Sequence, residues 1–96
     1  MPRCARVTRF KGSLAALRTV EALVNELVPR AREIDGCEGI LFLVDRLTGR
    51  SMAISLWESA EAMSKSEETM AELRFELAER ANEQVLFVER YEIAAE

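Results

Sequence analysis

The sequence predicts an α+β fold, a ferredoxin-like βαββαβ sandwich with two helices on one face of a four-stranded antiparallel sheet. Three observations carry this. Four segments, 4–11, 39–45, 50–58 and 84–93, alternate in polarity or run apolar over the length of a strand. Between the first and second of these, and again between the third and fourth, apolar residues recur at three- and four-residue steps, the period of a helix. The middle pair is joined by Asp45-Arg46-Leu47-Thr48-Gly49, which reads as a hairpin loop. At 96 residues the chain has the length of one domain, residues 1–96.

The first strand sets Ala5 and Val7 against Arg6, Thr8 and Phe10. Gly12-Ser13 follows, with Ser13 placed to cap a helix. Leu14, Leu17, Val20, Val24, Leu27, Val28, Ala31 and Ile34 form one stripe of that helix, and Pro29 predicts a kink or an early end within it. Asp35-Gly36 reads as the stop. The run Ile40 to Val44 reads as a strand buried on both faces. In the third strand Met52, Ile54 and Leu56 oppose Ala53, Ser55 and Trp57. Ser59 caps a short helix, and Ser64-Lys65-Ser66-Glu67 has the spacing of a capping box for a second. Met70, Leu73, Leu77 and Ala81 form its buried stripe, with Glu76 and Arg80 able to pair across one turn. The last strand sets Val85, Phe87, Tyr91 and Ile93 against Leu86 and Val88.

Composition removes several classes of function. The chain is 49% apolar with a net charge of −4 and no histidine. Ser-His-Asp and Cys-His catalysis, His-ligated zinc and His-ligated haem are therefore excluded. An acidic chain argues against nucleic acid as the main partner, and no apolar run approaches the length of a membrane span. Two cysteines, Cys4 and Cys37, make no disulfide framework and predict reduced thiols in the cytoplasm. No metal-ligand cluster and no phosphate-cradling glycine loop is present. Residues 1–50 carry nine basic and six acidic groups, residues 51–96 four and eleven. Arg3, Arg6, Arg9 and Lys11 form a basic start with no acid among them.

The strands carry more apolar surface than one helical layer can cover. If Ala5, Val7, Ile54 and Leu56 face the helices, then Phe10, Trp57, one row of the second strand and Phe87 face the other way. An apolar sheet face of that size is rarely left open in a monomer. The expectation is a homodimer, sheet against sheet, enclosing a part-apolar cavity.

The run Leu56-Trp57-Glu58-Ser59-Ala60-Glu61-Ala62-Met63 resembles the W-E-S-x-E-A segment of the antibiotic biosynthesis monooxygenase family. Gly36-Cys37 after the long helix and Lys11-Gly12 after the first strand are similar as well. The resemblance spans the first strand to the last. It implies a dimeric α/β barrel with a ligand cavity between sheet and helices. In some members it implies oxidation of quinols or polyketide aromatics with no metal or flavin; other members degrade haem, and further relatives are isomerases. The haem-degrading pattern of a strand-one Asn and a His after the Trp is absent, Lys65, Ser66 and Glu67 standing where the His would fall. Ala53 stands where the cofactor-free oxygenases carry an Asn four residues before the Trp.

The expected function is a cofactor-independent monooxygenase acting on a small aromatic or quinol-type molecule, with no cofactor or metal. The alternatives are a non-catalytic ligand-binding or interaction module on the same scaffold, or an isomerase or cyclase. Trp57 would stack on the ligand and donate one hydrogen bond. Arg6, if it shares the face of Phe10, would neutralise a carboxylate or enolate. Thr8 and Ser55 would supply hydroxyls, and Phe10, Met63 and Phe87 an apolar lining. Each of these residues also has a plain packing role open to it. Tyr91 and Asp45 are the remaining acid–base alternatives.

Overall fold

The computed structural model describes residues 2–96. The elements run β1 (Cys4–Lys11), a single 3-10 turn (Leu14–Ala16), α1 (Leu17–Arg32), β2 (Cys37–Val44), β3 (Arg50–Trp57), α2 (Ala60–Lys65), α3 (Glu67–Ala81) and β4 (Gln84–Glu92). The strands form one antiparallel sheet in the order β2-β3-β1-β4. This is the ferredoxin-like arrangement, with its helices on one face.

Local chemistry accounts for most boundaries. The Ser13 side chain accepts a hydrogen bond from the Ala16 N–H, and Ser59 does the same for Ala62. α1 continues through Pro29 to Arg32, so the expected early end does not occur. Asn25, whose carbonyl loses its partner to the proline ring, lies on the exposed side where water can replace it. The capping box also fails to form. Ser64 lies inside α2, Ser66 occupies the cap position without a side-chain cap bond, and Glu67 is engaged elsewhere. Gly49 closes the β2–β3 hairpin at φ +80°, where a Cβ would stand 2.7 Å from the Gly12 carbonyl oxygen. Only glycine fits both the backbone angle and the approach.

The register reveals which row faces which way. Four cross-strand rows point at the helices: Val44–Ser51–Phe10–Val85, Phe42–Ala53–Thr8–Val88, Ile40–Ser55–Arg6–Arg90 and Cys37–Trp57–Cys4–Glu92. They meet Val20, Leu23, Leu27 and Ala31 of α1 and Met70, Leu73, Leu77 and Ala81 of α3. The opposite rows, Leu43–Met52–Arg9–Phe87, Leu41–Ile54–Val7–Glu89 and Leu56–Ala5–Tyr91, have no helix over them. The expected assignment of faces is therefore reversed. Phe10 and Trp57 lie under the helices, and Ala5, Val7, Ile54 and Leu56 lie on the open side. The more apolar row is not the covered one, because the covered row uses small and hydroxylated residues (Ala53, Ser55, Thr8) beneath α1 and α3. β2, as an edge strand, is not buried on both faces: Leu41 and Leu43 are exposed.

Candidate functional site

Beneath α1 and α3 the covered face does not fill. A cavity of about 50 Å³ remains over the middle of the sheet. Its walls are apolar, from Phe10, Leu27, Phe42, Met70 and Leu73 among others, with three polar side chains: Thr8, Ser55 and Arg74. Ala53 and Ser55 explain the space, since a larger residue at either position would occupy it. Val24, Val28 and Phe42 line both this cavity and an open groove between α1 and β2 that continues to Asn25, Arg32 and Arg46. The cavity therefore adjoins solvent along the α1–β2 seam.

Next to it lies a cluster of charges. Arg6 and Arg90 stand directly opposite each other on β1 and β4, a like-charge pairing that would be unfavourable alone. Glu67, at the start of α3, resolves it. Its Oε2 lies 2.8 Å from Arg6 Nη2 and 2.9 Å from Arg90 Nη2, and its Oε1 takes Arg74 Nη2. Arg6 is 1% exposed. It also donates from Nη2 to the Met63 carbonyl at 2.7 Å and from Nη1 to Ser66 Oγ at 3.2 Å, while Ser66 Oγ donates to the same carbonyl at 2.6 Å. Its guanidinium carbon sits 5.5 Å from the centroid of the Trp57 ring, a cation–π contact. Burial pulls the Arg6 pKa down, and the Glu67 charge opposes that pull. Burial would raise the Glu67 carboxyl, but the contacts from Arg74 and Arg90 and the charge of Arg6 hold it below its ordinary value.

These positions sort the expected site residues. Thr8, Phe10 and Ser55 line the cavity together. Trp57 does not. It is fully buried, its Nε1 already donates to Ser55 Oγ at 2.8 Å, and Arg6 stands against its ring. It orients a cavity hydroxyl from behind, and the expected stacking on a ligand has no free ring face to use. Arg6 does share the Phe10 face, but it is held by Glu67, Met63 and Ser66 outside the cavity wall. Met63 contributes its carbonyl to Arg6 and its side chain to the core, not to the cavity. Phe87 is 58% exposed on the open face, across the sheet from the others. Of the two acid–base alternatives, Asp45 accepts from the N–H groups of Leu47 and Thr48 in the hairpin, and Tyr91 donates to Glu89 Oε2 at 2.8 Å on the open face.

Arg74 is the residue that sequence reasoning missed. Its signal was present: it lies four residues after Met70 and three before Leu77, so it interrupts a buried stripe with a charge. Its Nη1 is buried without a hydrogen-bond partner. At the other end of the covered face, Glu83 is 7% exposed, its carboxylate pressed against Gly12 and neither oxygen well hydrogen-bonded. Burial raises its pKa, and the nearby Ser51 hydroxyl offsets part of that rise.

No protein-family model matches the chain. Among curated proteins, the uncharacterized protein Rv2557 of Mycobacterium tuberculosis is 40% identical over 92 residues, covering 95% of this chain and 41% of that protein. A second protein of that organism, the uncharacterized Rv2558, is 50% identical over 71 residues, covering 73% of this chain and 30% of its own length. The chain thus spans less than half the length of these relatives. Among solved structures, one from Deinococcus radiodurans, named provisionally as an antibiotic biosynthesis monooxygenase, superposes with a TM-score of 0.77 at 17% identity, over 97% of this chain and 94% of that one. SnoaB of Streptomyces nogalater, a cofactor-independent oxygenase, superposes with a TM-score of 0.69 at 16% identity, over 99% and 94%. The chain has the fold of these antibiotic biosynthesis monooxygenase-like structures.

Proposed function

We propose that the chain binds a small, flat organic molecule in the cavity between its sheet and its helices, works as a homodimer, and oxidises that molecule without a bound cofactor. The observation that carries this reading is the cavity itself, an apolar space with Thr8, Ser55 and Arg74 at its wall, reached along the α1–β2 seam. SnoaB, a cofactor-independent oxygenase of the same fold, supports the reaction class. In such a reaction an ionised substrate carbon attacks O₂ directly. For a quinol, a ring C–H becomes a C–O bond and the ring ends as a hydroxyquinone; one oxygen atom of O₂ is retained, and the other leaves as water with two hydrogens of the quinol. At about 50 Å³ the cavity is smaller than the ~150 Å³ that accepts a benzene ring, so an aromatic ligand requires α1 to move outward from β2.

The open face supports the dimer. Leu41, Leu43, Phe87 and Tyr91 are all exposed there, next to Val7, Met52, Ile54 and Leu56, and a second copy packed sheet on sheet would cover them. A reducing compartment, such as the cytoplasm, suits the thiols. Cys4 and Cys37 both pair with Trp57 from opposite sides of β3, two strand spacings or roughly 9–10 Å apart, beyond the reach of a disulfide. No described helix is long and apolar enough to cross a membrane.

A second reading, a binding module without turnover, is favoured by one observation: the Trp57 indole N–H and both terminal nitrogens of Arg6 are bonded to protein groups rather than turned to the cavity. Oxygen consumption with a panel of quinols and hydroxynaphthoquinones separates the two. Turnover that disappears in a folded Ala53→Leu variant, whose added side chain fills the cavity, supports the oxygenase. Saturable binding with no oxygen uptake above that variant supports the module.

A further inference from the structure

The cavity lining contains one ionisable side chain, and it is a cation. No described carboxylate, thiol or phenol reaches the cavity wall, so the protein offers nothing there to take a proton from a bound molecule. Around that wall three guanidinium groups, Arg6, Arg74 and Arg90, share the single carboxylate of Glu67. The cluster therefore carries an excess of two positive charges, with Arg6 buried, Arg74 13% exposed and Arg90 at the solvent edge. Two of its donors, Arg6 Nε and Arg74 Nη1, are buried without a partner. Leaving a charged donor unpaired is costly, and a ligand oxyanion that reached one would gain a charge-assisted hydrogen bond. Arg74 Nη1 is the one belonging to a cavity-lining residue, with the hydroxyls of Thr8 and Ser55 on the same lining. Ser55 is held from behind by Trp57 Nε1, at 2.8 Å, which leaves its own O–H free to donate forward.

Taken together, these placements lead us to infer that the cavity selects molecules that arrive already ionised, as a carboxylate or as an enol or phenol that is anionic when bound. Arg74 receives the oxyanion, with Thr8 and Ser55 as co-donors, and Glu67 and Arg6 act as positioning residues that hold Arg74 in place. This inference rests on the small-molecule reading of the cavity and narrows its ligand class. It also gives the missing base an explanation: the proton is gone before the molecule binds, and the arginine cluster maintains the ionised form.

The test compares benzoate with its neutral isostere benzamide on the full chain, by nuclear magnetic resonance titration that follows the backbone amides and the Arg74 Nε–H. Benzoate is expected to bind at least about tenfold more tightly, the difference a charge-assisted hydrogen bond makes, and to shift the Arg74 Nε–H where benzamide does not. Arg74→Gln should remove the preference, and Arg74→Lys should retain part of it. The wild-type pair and the Arg74 resonance need no variant, so the test stands even if Arg74→Gln folds poorly. Equal affinities with shifts around the cavity would overturn the anion inference and leave the cavity reading in place. Binding of neither compound to the cavity would overturn both.

Discussion

The two faces of the sheet are built from the same four strands and are both rich in apolar residues, yet they do different work. The covered face holds Trp57, Arg6 and Phe10 at 2% exposure or less, and it tolerates a cavity and a buried charge cluster between them. The open face is the more uniformly aliphatic of the two and stands uncovered within the chain. The difference teaches that burial here follows what the helices bring. α3 begins with Glu67 and carries Arg74; beneath it Arg6 meets Glu67, and Trp57, one row along, lies against the Arg6 guanidinium. In the three rows of the open face the polar groups, Arg9, Glu89 and Tyr91, pair among themselves at the β4 side, and the aliphatic remainder has no helix over it.

Substitutions on matched positions of the two faces probe that difference. On the covered side, Trp57→Ala removes the residue that fills the end of the core and orients Ser55. A loss of about 3–5 kcal/mol is expected, read as a fall in the urea midpoint with little change in slope. On the open side, Ile54→Lys should leave the fold in place, by circular dichroism, and give a species of 10.8 kDa at sedimentation equilibrium where the parent chain sediments as a dimer. Unfolding by Ile54→Lys, or a monomeric parent, would remove the distinction between the faces.

Smaller effects sharpen it. Glu83 has a raised pKa in the folded state, so its contribution is most favourable below the ordinary carboxylate range and is lost as pH climbs through the raised value. Glu83→Gln keeps the shape and removes the charge. It should stabilise the protein at pH 8 by about 1–3 kcal/mol, the cost of an unpaired buried polar group, and by much less at pH 4. A gain of equal size at both values would show that the Glu83 carboxyl has the same pKa folded and unfolded, against the raised value. Glu67 behaves in the opposite sense. Its lowered pKa gives stability that is present above the ordinary carboxylate range and lost as pH falls through the folded value. Smallest of all, Ala53→Val adds two methyl groups toward the cavity. Up to about 1.5 kcal/mol of added stability is expected, with weaker ligand binding, in a thermal melt run with and without ligand.

Much of the fold was legible in the sequence because periodicity is a local property. The alternation of 4–11, the stripe from Leu17 to Ala31 and the caps at Ser13 and Ser59 each depend on neighbours a few residues away. The Glu76–Arg80 pair, at 2.7 Å, is local in the same way. The choice of face was not legible. Two apolar rows on one strand are equivalent until a helix from elsewhere in the chain selects one, and here polar residues on the selected row misdirect any ranking by hydrophobicity. Glu67 illustrates the same limit. Its spacing from Ser64 fits a local cap, but Arg6 and Arg90, distant in sequence, and Arg74, seven residues along α3, outcompete that use. Thr8, Phe10 and Ser55 were legible as one side of the sheet, and the fold carries them to one cavity. The exclusion of Trp57 from that cavity turns on a hydrogen bond and a cation–π contact that only the assembled tertiary structure contains.

We propose that the covered face receives the small molecule while the open face receives a second copy of the chain. Amide shift mapping on the dimer during titration with a hydroxynaphthoquinone, an enol ionised at neutral pH, separates the two faces. The expected result is a saturable set of shifts at Thr8, Ala53, Ser55 and Leu73, with Leu41, Leu43 and Phe87 unmoved. Shifts confined to Leu41, Leu43 and Phe87, with the cavity residues silent, would contradict it.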